Sequence, residues 1–97
     1  MDKKEARAIL AAEIKRLRKE SYAELCNRQE RKDPEVKEIK GESGTKYGLE
    51  IECIWDGPKN GNLRVMCWID DGGWRAFMPL GDSFIMAPDG SFVGEDV

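Results

Sequence analysis

The hydrophobic period of this chain changes at Pro34, and that change restricts the fold more than any other feature. Upstream, Ala6, Leu10, Ile14 and Leu17 recur at spacings of four, four and three among charged neighbours. This is the stripe of an amphipathic helix whose apolar face needs cover. Ser21 precedes Glu24 by three residues, an S-x-x-E spacing in which the hydroxyl satisfies a free amide at a helix start and the carboxylate reaches back. A break near Ser21 is expected, followed by a second helix that presents Tyr22 and Leu25 to the core.

Beyond Pro34 the period is two. A strand is expected over 35–40, then a Gly-, Glu- and Ser-rich loop over 41–45. In KYGLEIECIW the residues Tyr47, Leu49, Ile51, Cys53 and Trp55 share one side, and Glu50, Glu52 and Ile54 share the other. DGPKNGN is a turn cluster, after which Leu63, Val65, Cys67 and Ile69 resume the odd, core-facing side. Asp71-Gly72 between alternating runs signals a two-residue type I′ hairpin. That register pairs Asp70 with Gly73, so that Ile69 faces Trp74, Cys67 faces Ala76 and Val65 faces Met78 on the core side. It also sets Trp68 against Arg75 and Met66 against Phe77 on the outer side. A short strand around SFIMA, a PDG turn and a final SFVG complete the chain.

The expected architecture is an α+β fold, an N-terminal helix or broken helix pair packed on an antiparallel β-meander of four to six strands. One domain over 1–97 is expected, helical over 1–32 and sheet over 35–94, since 97 residues suffice for one core and not for two.

Composition narrows the chemistry. There is no histidine, so no imidazole serves as a base near pH 7. A serine or cysteine nucleophile would need lysine or a carboxylate as its activator. No catalytic, cofactor or metal site is expected, and the chain reads as a non-enzyme. Cys26, Cys53 and Cys67 form no CxxC pair and no even set, so free thiols are expected; Cys53 and Cys67, opposite or one diagonal step apart, read as small core residues. DGPKNG places Asp, Asn and Gly at positions one, five and six of a calcium loop, but Pro58 falls at position three and Cys67 at position twelve, which rules the loop out. GESGTKYG matches no phosphate-cradle spacing. With no long apolar run and no signal segment, no membrane association and a cytoplasmic setting are expected.

Charge is divided unevenly. Residues 1–40 carry twelve basic and nine acidic side chains, residues 41–97 four and ten, within a total of −3. The basic residues Lys4, Arg7, Lys15, Arg16, Arg18 and Lys19 are interleaved with Glu5, Glu13 and Glu20, a solvated face more than a nucleic-acid track. The informative surface is the even side of the sheet. If helices cover the odd side, Ile54, Met66, Trp68 and Phe77 lie together on the other, fringed by Glu50, Glu52, Arg64 and Arg75. Aromatic residues, Met and Arg are enriched at interface centres, and Trp68 over Arg75 would add a cation-π contact. The candidate interaction surface is therefore Ile54, Arg64, Met66, Trp68, Arg75 and Phe77, engaged in a homodimer or with a protein partner. The competing structural reading is that the sheet curls or the C-terminal strands fold back, making this side a second small core. Two further functional alternatives are a small-ligand pocket or minor enzyme lined by Tyr47, Trp55, Arg75 or the cysteines, and weak nucleic-acid binding by the first helix.

Overall fold

The computed structural model describes residues 2–31, 34–72 and 79–95. Two helices, α1 (Lys3–Leu17) and α2 (Tyr22–Glu30), cover one face of a four-stranded antiparallel sheet. Its strands, β1 (Glu35–Lys40), β2 (Lys46–Trp55), β3 (Leu63–Asp70) and β4 (Leu80–Met86), lie side by side in chain order. This is the α+β meander expected from the change of period.

Local signals start and stop the elements. Asp2 caps α1 by accepting from the Glu5 amide at 3.1 Å. The break falls at Ser21, whose hydroxyl accepts from the Glu24 amide at 3.1 Å while the Glu24 carboxylate accepts from the Ser21 amide at 3.0 Å. Both orphan amides are thereby satisfied and α2 can set off in a new direction. Leu25 is fully buried, whereas Tyr22 is half-buried and donates its hydroxyl to the Gly61 carbonyl at 2.6 Å.

The core is the helical stripe laid on the odd side of β2 and β3. Ala6, Leu10, Ile14 and Leu17, with Leu25 of α2, share one buried cluster with Tyr47, Leu49, Ile51 and Cys53 of β2 and with Leu63, Val65, Cys67 and Ile69 of β3. Full burial of each large aliphatic side chain contributes about 1.5–3 kcal/mol. Cys53 pairs with Val65 and Cys67 with Ile51, so the two thiols sit one diagonal step apart, and both are free.

The hairpin after β3 differs from the expected one. Ile69 pairs with Leu80, Cys67 with Asp82 and Val65 with Phe84, where Trp74, Ala76 and Met78 were expected. Two local facts account for this. A type I′ turn needs positive φ at both central residues, and among the described non-glycine residues only Asn60 has it, so Asp71 does not meet the requirement. The Asp70 carboxylate instead accepts from the Gly72 amide at 2.7 Å, an Asx turn that ends the strand. On β4 the core side is consequently even, with Phe84 and Met86 buried. The SFVG segment contributes a single bridge, Phe92 to Met86. No helix among the described residues is long and apolar enough to cross a membrane.

Candidate interaction surface

The helices leave one side of the sheet uncovered by any described element, and the register places its side chains in rows. Val36, Glu50, Trp68 and Gly81 form one row across all four strands. Glu52, Met66 and Ser83 form the next, followed by Ile54, Arg64 and Ile85. Of the expected surface residues, Ile54, Arg64, Met66 and Trp68 are therefore brought together. Arg75 and Phe77 lie outside the described residues, as does Trp74. The cross-strand neighbours expected for Trp68 and Met66 are replaced by Gly81 and Ser83.

Trp68 is held by the strand beside it. A Cβ on Gly81 would fall within the six-membered ring's van der Waals envelope, so the indole rests where only glycine leaves room. An aromatic side chain over a strand glycine restores packing that the glycine itself cannot provide. Trp68, Met66, Arg64, Gly81, Asp82 and Ser83 line a shallow recess of about 350 Å³. Val36 is 70% exposed and Ile54 40% exposed, both large apolar side chains open to water. Ile85 is the half-buried apolar residue that extends the patch to β4.

The electrostatics are lopsided. Arg64 is bound to Asp56, with Nε and Nη2 donating to Oδ1 at 3.3 and 3.1 Å. That pair also occupies the carboxylate that the calcium-loop pattern would have needed. Glu50 and Glu52 face the same solvent between the apolar residues, and neither has an ion pair or side-chain hydrogen bond among the described residues. Two unneutralised carboxylates thus flank an aromatic platform.

Of the residues named for the ligand-pocket alternative, Arg75 lies outside the described residues, and Tyr47 and Trp55 lie apart. Tyr47 is fully buried and donates to Glu5 Oε1 at 2.8 Å, and burial together with Glu5 pushes its hydroxyl up to about 12. Trp55 lies at the other end of β2, about 26 Å away at the usual rise of ~3.3 Å per residue, beside Cys26 and Lys59 in a separate recess. Burial pushes the Cys53 thiol up to about 11 and the Cys67 thiol up to about 12, so both are poor nucleophiles at neutral pH. Two of the basic residues in and just past α1 are engaged within the chain. Arg16 pairs with Glu13 and Glu20, and Arg18 is bound to Glu95 and stacked on Phe92.

Val36, Gly81, Ser83 and Ile85 belong to this surface and were not expected in it. EVKEIK has an apolar residue on each parity, and FIM is apolar on both, so alternation alone does not orient either strand. Comparison with family models, with curated proteins and with solved structures finds no match to this chain.

Proposed function

We propose that the chain is a non-enzymatic protein-interaction module whose outer sheet face binds a partner segment carrying both apolar and basic side chains. The observation that supports this reading most directly is Trp68 seated on Gly81 and next to Met66, with Glu50 beside it and Glu52 beside Met66, neither paired among the described residues. Apolar contact would supply affinity, and the carboxylates would select a cationic partner and speed its approach. Stacking two copies of this face on each other is less favourable. It would enclose four carboxylates, with Lys40 and Lys46 at the margins to offset them, and Lys46 already lies near Glu38.

Selection from a randomised peptide library against the folded chain tests the reading. Enriched peptides should combine Lys or Arg with aromatic or aliphatic residues, bind more weakly as salt rises, and lose binding to Trp68→Ser and to Glu50→Lys/Glu52→Lys. Peptides that bind these variants as well as the parent chain, or a library that shows no enrichment, would reject the proposal.

A further inference from the structure

A different surface carries a second conclusion, independent of the outer face. The edge of the sheet at β1 is open. Gly41 donates its amide to the Thr45 carbonyl at 2.8 Å, which fixes the alternation of the β1–β2 ladder. In that ladder the odd residues of β1 are hydrogen-bonded to β2, and the backbone N–H and C=O groups of Val36, Glu38 and Lys40 point away from the sheet. No described residue pairs with them. The opposite edge is closed in part, because Val93 donates to the Ile85 carbonyl at 2.9 Å and the Ser83 amide is taken up by Asp82 Oδ1 at 2.8 Å.

Charged side chains on an edge strand ordinarily discourage pairing. On β1 the two signs are two residues apart on one face, which makes them self-complementary in one register. For two copies of β1 to bond edge to edge in antiparallel fashion, even residues must face even residues. Centring the two-fold axis on Ile39 sets Glu38 opposite Lys40 of the second copy, and Lys40 opposite its Glu38. It also sets Ile39 against Ile39 on the helix side. Moving the axis to Glu38 opposes two glutamates, moving it to Lys40 opposes two lysines, and moving it to Lys37 opposes two lysines and sets Pro34, which has no N–H, against Lys40. Of the axes from Lys37 to Lys40, only the one at Ile39 opposes unlike charges; an axis at Val36 opposes Glu35 to Lys37 but sets Pro34 against Glu38, and an axis at Gly41 opposes Lys40 to Glu42 but lies past the end of β1.

The groups concerned are available. Glu38 is 70% exposed, and its intramolecular cation, Lys46, stands 4.0 Å away and equally in water. Lys40 is exposed and Ile39 half-buried. The helix layer reaches β1 through Arg28 bound to Glu35 and Glu13 bound to Lys37, both on the odd residues and not on Glu38 or Lys40. The groove of about 520 Å³ above Lys40 and Gly41 is lined on its helix side by Asp2, Lys4, Glu5, Ala8, Ile9 and Ala12.

We infer that the protein forms a two-fold dimer through β1, two four-stranded sheets joining into one continuous antiparallel sheet with Glu38 paired to Lys40 across the axis. The helix layers then lie on the same side, and the two outer faces form one surface.

Sedimentation equilibrium of the full chain over a concentration series tests this. The parent chain should reach twice its 11.0 kDa mass. Glu38→Lys and Lys40→Glu, both at exposed sites, should each weaken association about tenfold or more, because each opposes like charges twice. An equimolar mixture of the two variants should associate more tightly than either alone, and so should Glu38→Lys/Lys40→Glu, since both restore unlike pairs. Backbone amide exchange at Glu38 and Lys40 should slow as concentration rises, while exchange at Val65 should not respond. A parent chain that stays at one-chain mass throughout, or single variants that dimerise as well as the parent, or a mixture with no recovery, would overturn the inference.

Discussion

Gly81 is constrained by space and not by backbone conformation, since the residues with positive φ include Gly72 and Gly90 but not Gly81. What excludes a side chain is the Trp68 ring, and the ring is the free end of a side chain on an open face. Gly81→Ala should therefore displace the indole while changing stability by less than about 1 kcal/mol. Nuclear Overhauser contacts from Gly81 Hα to Trp68 Hε3 should be present in the parent chain and lost in the variant; a core-sized loss of stability would contradict this account. Glu13 is the converse, a charge that packing cannot dispense with. It is 6% exposed on the core side of α1. Burial pushes its carboxyl up, but hydrogen bonds from Arg16 and Lys37 outweigh burial and hold it below the ordinary value of 4.5. A folded-state value below the unfolded one means that the carboxylate stabilises the fold fully above about pH 4.5 and progressively less as pH falls through the lowered value. Ser43 and Tyr47 lower Glu5 in the same sense. Urea midpoints should fall between about pH 5 and about pH 3, and Glu13→Gln should lower the neutral-pH stability by about 1–3 kcal/mol while flattening that fall.

Between elements, the break at Ser21 decides how two short helices share one sheet. Helix α1 lies over β3 and β4, and α2 lies mainly over β2; a single straight helix would not cover both halves. Ser21→Ala removes one side of the reciprocal cap and should cost about 1 kcal/mol, read as a lower urea midpoint, whereas Ser21→Asp should retain most of the stability. A neutral Ser21→Ala would mean that packing of Leu25 alone sets the break. This element was legible in the sequence because capping is local chemistry at fixed spacing. The bounds of β2 and β3 were legible for a similar reason, since alternation persists over ten and eight residues, and β1 was bounded by Pro34 and by the Gly-, Glu- and Ser-rich loop. The partner of β3 was not. Asp71-Gly72 carries the composition of a tight hairpin, but Asp70 can satisfy the Gly72 amide with its side chain, and composition does not distinguish the two turns. The outward direction of Trp68 survived that misreading because it follows from the shared odd core parity of β2 and β3. Its neighbours did not survive, because they depended on the turn.

At the scale of the whole molecule, the C-terminal segment ties both layers together through one residue of the helix layer. Arg18, just past the end of α1, stacks its guanidinium 3.9 Å from the Phe92 ring centroid and lies 5.5 Å from that of Phe84. Phe84 and Phe92 meet edge to face at 5.7 Å, and Arg18 donates twice to Glu95, at 2.8 and 2.5 Å. The same segment closes the end of β4 through the Val93 amide, so it covers core, edge and helix end at once. Three contacts of unequal strength combine in this tether, and their ranking is predictable. Phe92→Ala removes half-buried aromatic surface and its edge-to-face contact, and should cost about 2 kcal/mol. Arg18→Lys keeps a positive charge for Glu95 but loses the planar stack and the two-pronged donation, and should cost about 1 kcal/mol. Glu95→Gln removes an ion pair whose carboxylate is 40% exposed, and should be the least damaging of the three, its effect shrinking further with salt. Chemical denaturation of the three variants under one buffer condition gives the order directly. If Glu95→Gln were the most damaging, the tether would be electrostatic and its strength would fall with ionic strength. With Phe92 dominant and Glu95 least, it is instead an aromatic clasp that holds at high salt.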